Sequence, residues 1–221
     1  MNLTEAMEAR HSVRQYEDRP LESSVVSALQ DEIRACNKES GLHIQLVTGE
    51  PKAFAGFMAH YGKFSGVTDY IAMIGKKGPD LEEKCGYYGE RLVLKAQQLE
   101  LNTCWVAMTY SKVRTAFTID SGEKLCVVIS IGYGKTQGVP HKSKMLEEVT
   151  KADTALPNWF RSGAEAALLA PTAMNQQKFQ FTLSGNKVTA KAGVGFYSKI
   201  DLGIVKYHFE LGAGKDNFVW A

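Results

Sequence analysis

"ALLAPTAMNQQKFQFTL", residues 167–183, reads as the end of a helix, a break and a strand. Pro171 stops the helical run. Thr172, Asn175 and Gln177 then crowd a turn. Phe179, Phe181 and Leu183 alternate with polar residues, the pattern of a half-buried strand. The same order occurs earlier, in "EIRACNKESGLHIQLV" (32–47). A second pair follows. "YYGERLVLKAQQLELNTCWVA" (87–107) and "LGIVKYHFELGAGKDNFVWA" (202–221) each set a helix before an apolar strand bearing Trp and Ala. Residue by residue the pairs match weakly, so an internal duplication and a chance likeness both stay open. On the duplication reading, 1–150 form the fuller half and 155–221 a reduced one in which nothing answers to 108–150.

The rest of the chain fits the same class. Asn2 and Glu5 form a capping-box pattern, with a short helix expected to about Arg10. Val25, Leu29 and Ile33 share one face of a helix after Pro20. "DYIAMIG" (69–75), "TCWVAM" (103–108) and "LCVVISIGYG" (125–134) read as strands, and 162–170 and 201–214 as helices. Residues 51–68 are Gly- and aromatic-rich and show no clear period. The expected fold is α+β: a mixed, mostly antiparallel sheet flanked by helices, arranged as an intrachain pseudo-dimer.

The composition narrows the function. A net charge of +2 over 221 residues gives no whole-molecule attraction to nucleic acid or an anionic membrane. The longest apolar run, "LCVVISI" (125–131), is too short to cross a bilayer, and "MNLTEAMEAR" lacks the apolar core of a signal peptide. Cys36, Cys85, Cys104 and Cys126 are scattered without a Cys-x-x-Cys pair, which suits reduced thiols in a cytoplasmic protein. "IGYGKT" (131–136) fails as a phosphate loop because Ile129 stands where the first Gly belongs. No Gly-x-Gly-x-x-Gly fingerprint, no His or Cys spacing for a metal and no Gly-x-Ser-x-Gly elbow is present.

One basic cluster survives. "ARHSVRQY" (9–16) places Arg10, His11 and Arg14 around Ser12. In an extended segment Arg10, Ser12 and Arg14 face one way. Arginine forks and a hydroxyl suit phosphate and other anions. Taken alone, such a cluster more often forms a solvated turn after a helix. The 169–181 stretch adds Asn and Gln side chains, which carry donor and acceptor together and suit the edge of a flat heterocycle. Taken alone, it too is a plain helix stop.

Together the two stretches resemble the nitroreductase family of FMN-dependent oxidoreductases. "RHSVRQY" matches its early Arg-(Arg/His)-Ser-x-(Arg/Lys)-x-(Phe/Tyr) motif. "APTAMNQQKFQF" is similar to its Ala-Pro-Ser-x-x-Asn-x-Gln-Pro-Trp-x-Phe motif, with Thr172 for Ser and Lys178-Phe179 for Pro-Trp. "GERLVLKAQQLELNTCW" (89–105) resembles the helix leading to Gly-Leu-Gly-Thr-Cys-Trp, with Glu100 and Asn102 in place of the glycines. "IGYGK" and "HKSKMLEEV" resemble the family's Gly-Tyr strand end and basic pair. Ordinary members are homodimers that bind flavin at the subunit interface, and their Pro-Ser-x-x-Asn motif follows the Arg-Ser motif closely. Here that place holds "ACNKESG", and the motif stands instead at 170–177. The resemblance therefore implies a fused dimer, monomeric in solution, with one flavin site.

It also implies site roles. Arg10, His11 and Ser12 would meet the phosphate and ribityl end of FMN, with Lys142 and Lys144 at the phosphate. Arg14 would lie near the pyrimidine edge and tune the ring. Pro171, Thr172, Ala173 and Asn175 would line the cofactor, and backbone near Gly86–Gly89 would approach its redox-active nitrogen. NADH or NADPH would be the donor, and a nitro compound, quinone or similar small electrophile the acceptor. Tyr61, Phe64, Tyr87 and Tyr88 are candidates for acceptor contact or for core packing. A family relative doing dehalogenation, desaturation or flavin breakdown, and a flavin-binding protein without efficient turnover, remain alternatives.

Overall fold

The computed structural model describes residues 1–153 and 155–221. In chain order it forms helix α1 (Leu3–Ala9), helix α2 (Ser23–Ser40), strand β1 (Gln45–Val47), helix α3 (Phe57–Tyr61), strand β2 (Asp69–Lys76), helix α4 (Leu81–Gln98), strand β3 (Asn102–Val106) and strand β4 (Glu123–Gly132). Helix α5 (Leu146–Val149), strand β5 (Thr150–Ala152), helix α6 (Asn158–Leu168), strand β6 (Phe179–Ser184), strand β7 (Lys187–Ala192), helix α7 (Ser198–Ala213) and strand β8 (Val219–Trp220) complete it. The fold is α+β, as the sequence implies. Its contacts fall into two units: residues 9–81 with 92–140, and residues 1–8 and 82–91 with 141–221. The sequence division at 150 and 155 differs, because it keeps 1–8, 82–91 and 141–150 with the first half.

The 9–81/92–140 unit is built on an antiparallel sheet in the order β1-β2-β4-β3. Residues 69–75 of β2 are buried without alternation, because the strand is central and covered on both faces. Leu29, Ile33 and Cys36 are the buried face of α2. The helix stops at Gly41, which takes a left-handed φ of 71°. Asn37 then clamps the incoming strand: its Nδ2 donates to Ile44 O (3.0 Å) and its Oδ1 accepts from Ile44 N (2.8 Å). Helix α4 ends differently. Glu100 adopts φ 62°, its N–H donates to Gln97 O, and Leu101 N–H donates to Ala96 O. That is the Schellman pattern, with Glu in a position that favours glycine.

The 1–8/82–91/141–221 unit carries a second sheet in the order β5-β6-β7-β8. An antiparallel β6–β7 hairpin is flanked by parallel β5 and β8. Phe160, Phe181, Phe209, Phe218 and Trp220 form its aromatic core, with Phe181 and Phe209 centroids 4.5 Å apart. β7 falls where the sequence shows no strand, because in "KVTAKA" only Val188 is buried. The N-terminal half of α4 packs on α7 through two glycines. A Cβ on Gly86 would lie 2.0 Å from Ile200 O, and one on Gly203 would lie 1.9 Å from Glu83 O. One sequence shift carries Gly86 onto Gly203 and Glu83 onto Ile200. The sheets share a similar relation. β3 runs parallel to β2 with β4 between them, and β8 runs parallel to β7 with no strand between. Beside the glycine pair, His208 is fully buried. Its Nε2 lies 2.8 Å from Glu90 Oε1 and its Nδ1 3.0 Å from Ala166 O.

Candidate active site

The basic motif is laid along β3. α1 ends at Ala9, and both capping bonds join Asn2 and Glu5, at 2.9 Å each. Beyond it the chain is extended. Ser12 bridges to Thr103, Val13 N–H donates to Thr103 O (3.0 Å), and Tyr16 N–H donates to Ser65 O (2.9 Å). Val13 and Tyr16 are buried, and the Tyr16 hydroxyl donates to Val13 O (2.7 Å) and lies 2.9 Å from Ser130 Oγ. Ser12 and Arg14 are thereby left exposed. Arg10 departs from the expected common face: only 4% of its surface is exposed. It still belongs to the same electrostatic neighbourhood. Burial pushes the Cys104 thiol above its ordinary value, while Arg14, a Ser12 hydrogen bond and Arg10 pull it down.

The 134–138 loop closes over this segment. At Gly138 the left-handed φ of 74° and a Cβ position only 2.7 Å from His11 Cβ both demand glycine. Asn102 anchors the loop by accepting from Gly134 N–H (3.0 Å) and donating to Gln137 Oε1 (3.0 Å). Asn102 thus has a structural use where the resemblance expects glycine.

Within the same unit a cleft of about 380 Å³ is lined by Arg14, Tyr61, Gly62, Lys63, Phe64, Trp105, Val106, Ala107 and Thr109. Phe64 is buried in its wall, and Tyr61 is 76% exposed at its rim. The guanidinium carbon of Arg14 lies 6.0 Å from the Phe64 ring centre. Two of the four aromatic candidates thus reach a cleft. The other two pack instead: Tyr87 lies 5.1 Å from both Tyr88 and Tyr207, and its hydroxyl donates to Glu210. The backbone at Gly86–Gly89 is also corrected. α4 begins at Leu81 rather than near residue 87, so these N–H groups lie inside the helix and are spent there.

In the other unit the structure joins Lys142 and Lys144 to the 171–177 motif. Asn175 Nδ2 (2.9 Å) and Gln177 Nε2 (2.8 Å) both donate to Lys142 O, and Gln177 Nε2 also donates to Asn175 Oδ1 (2.8 Å). Lys144 N–H donates to Gln177 Oε1 (2.8 Å), and its ammonium donates to Gln177 O (3.0 Å). Gln177 is the buried hub of this clasp and takes Thr172 Oγ1 through its own N–H (3.0 Å). Met174, Asn175 and Gln177 all have left-handed φ, near 52°, 52° and 44°. Such strain outside glycine persists only where surrounding bonds enforce it. The half-buried Pro171 and Thr172 precede Ala173, whose N–H donates to Asp201 Oδ1 (2.9 Å). Gln176 Nε2 donates to the other oxygen (2.7 Å). Burial still wins at Asp201 and pushes its carboxyl up to about 6. The side chains of Asn175 and Lys144 are therefore committed to shaping the loop. Lys142 offers its carbonyl to the clasp and leaves its exposed ammonium available.

Residues 2–213 match a family model described as "Putative TM nitroreductase". The chain belongs to this nitroreductase family. Solved structures agree in fold. A "putative nitroreductase" from Thermotoga maritima is 22% identical, with a TM-score of 0.68 over 98% of this chain and 85% of that one. A "Putative NADH dehydrogenase/NAD(P)H nitroreductase" from Parabacteroides distasonis is 22% identical, with a TM-score of 0.52 over 67% and 97%. A "putative nitroreductase" from Desulfovibrio desulfuricans, solved with FMN, is 15% identical, with a TM-score of 0.53 over 67% and 95%. No curated protein is matched. Among the described residues no helix of this nitroreductase is long and apolar enough to cross a membrane.

Proposed function

We propose that this nitroreductase is a cytoplasmic, FMN-dependent oxidoreductase that passes two electrons from NADH or NADPH to a nitro compound, a quinone or a similar electrophile. The observation that carries the reading is the "RHSVR" segment. It is laced to β3 so that Ser12 and Arg14 stay open, with Arg14 on a cleft walled by aromatic rings. That donor set fits a flavin mononucleotide: a cation and a hydroxyl for a phosphate and ribityl chain, beside apolar surface for a ring. The Desulfovibrio relative, solved with FMN, supports the same choice.

The residues assigned to the cofactor are Arg10, His11, Ser12, Arg14, Lys142, Lys144, Pro171, Thr172, Ala173 and Asn175. When bound, FMN supplies the hydride chemistry. The chain's own part is to hold and orient it. Arg14 keeps a fixed positive charge that favours added electron density, and the strained 172–177 loop presents Thr172 and Ala173 in one conformation. For a nitro acceptor the balance is R–NO2 + NAD(P)H + H⁺ → R–NO + NAD(P)⁺ + H2O.

The matched glycine contacts of α4 and α7 and the matched strand directions support a further reading: 1–150 and 155–221 are two fused halves that work as a monomer with one flavin. The test is the visible spectrum of the purified protein, with the released cofactor identified by mass. FMN near one per monomeric chain, bleached by NAD(P)H and restored by a nitroaromatic, is expected. Absence of flavin after reconstitution refutes the reading. A ratio near two, or binding only by a dimer, refutes the fused arrangement.

A further inference from the structure

The cleft beside Arg14 carries a second cation. Lys63 lines it together with Arg14, and no acidic side chain is among its lining residues. Among the described residues neither cation is engaged in an ion pair. The same cleft is lined by aromatic and apolar side chains: Phe64, Trp105, Val106 and the exposed Tyr61.

Lys63 is also held at a cost. It sits after α3 with a left-handed φ of 61°. Its N–H donates to His60 O (2.9 Å), and Phe64 N–H donates to Ala59 O (2.9 Å). The preceding Gly62 is closely enclosed: an added Cβ would lie 2.8 Å from Thr109 Cβ and 2.9 Å from Phe64 Cδ2. A lysine kept in a strained turn by close packing is a position that the surrounding structure fixes.

We propose that the electron acceptor is an aromatic anion, and that Lys63 is the residue selecting it. This rests on the oxidoreductase reading, in which Arg14 serves the cofactor and Lys63 is the cation left over. A carboxylate on a planar ring would take the Lys63 ammonium, while the ring lies along Phe64 and Trp105. A charge-assisted hydrogen bond at a partly open site accounts for about a tenfold preference over a neutral analogue.

The test compares 4-nitrobenzoate with the neutral 4-nitrobenzyl alcohol. Their dissociation constants are measured by calorimetry on protein freed of flavin, and kcat/KM on protein loaded with FMN. The parent is expected to favour the anion. Lys63→Gln should weaken the anion about tenfold and the alcohol less than about twofold. Lys38→Gln, on the exposed side of α2, should change neither. Equal losses for both probes in Lys63→Gln, or no preference in the parent, overturn the proposal. Lys63-dependent anion binding in a protein that takes up no flavin would retain the anion site and sink the oxidoreductase reading alone.

Discussion

Gly203→Ala tests the tightest of the glycine contacts among the described residues. In an exposed helix this change adds about 1 kcal/mol of stability, because alanine is the better helix former. Here the new Cβ would sit 1.9 Å from Glu83 O and 2.6 Å from Tyr87 N. Ordinary contact needs about 3.4 Å, so α4 and α7 must part by more than ~1 Å. The obstruction is backbone, which cannot swing aside as a side chain does. Overpacking of this kind costs about 1–3 kcal/mol, and parting the helices also loosens the His208–Glu90 pair beside them. A net loss of about 2 kcal/mol is expected after the helix-propensity gain. In a chain of this length that lowers Tm by roughly 4–8 °C. Gly86→Ala meets Ile200 O at 2.0 Å and should cost a similar amount. Once one methyl has separated the helices the second finds room, so the double variant should lose about 1 kcal/mol less than the sum. Urea unfolding of the four proteins measures all of this. Stabilisation by either single change, or full additivity, would refute the close-packed seam.

Asp201 sets a pH dependence. Its folded pKa, about 6, stands above the ordinary 3.8 because of burial, so the folded state holds its proton more tightly. The parent should therefore lose stability as pH rises from about 4 to 6, by up to about 3 kcal/mol relative to Asp201→Asn. Parallel stability–pH curves for the two proteins would defeat that assignment. Glu100→Gly should relieve the left-handed cap and raise stability by about 0.5–1 kcal/mol, net of glycine's larger unfolded-state entropy. A lower urea midpoint would contradict it. Asn175→Ala breaks the clasp on Lys142 O and should weaken flavin binding about five- to 150-fold. Titration of the reconstituted variant by flavin fluorescence decides, and unchanged affinity in a normally folded variant would remove Asn175 from the site.

Much of the fold was legible because periodicity reports burial. The alternation of 178–185, the apolar run of 69–75 and the capping box at Asn2 all became what their patterns imply. β7 was not legible, because a strand with one buried residue carries no alternation. The start of α4 at Leu81 was not legible, because Glu82, Glu83 and Lys84 hide the apolar spacing of Leu81 and Cys85. Each candidate stretch was legible where it is contiguous, as in "RHSVR" and in "APTAMN". Cooperation between distant segments was not legible. No local pattern announces that Gln177 ties down Lys142 and Lys144, or that Lys63 shares a cleft with Arg14. His43, Asp120 and Glu123 likewise show no metal-like spacing, yet their donor atoms gather within 4.8 Å in the fold.

The unit that contains α7 is assembled from three stretches of chain, and one of them, 82–91, is made long before the last, 141–221. Glu90 must wait for His208, 118 residues later. At ordinary synthesis rates that wait is on the order of ten seconds. During it Gly86 of α4 lacks the contact with Ile200 of α7 that it makes in the fold. The nascent chain thus makes this helix face well before the 141–221 stretch that covers it in the fold. A fragment ending near residue 150 should aggregate rather than fold.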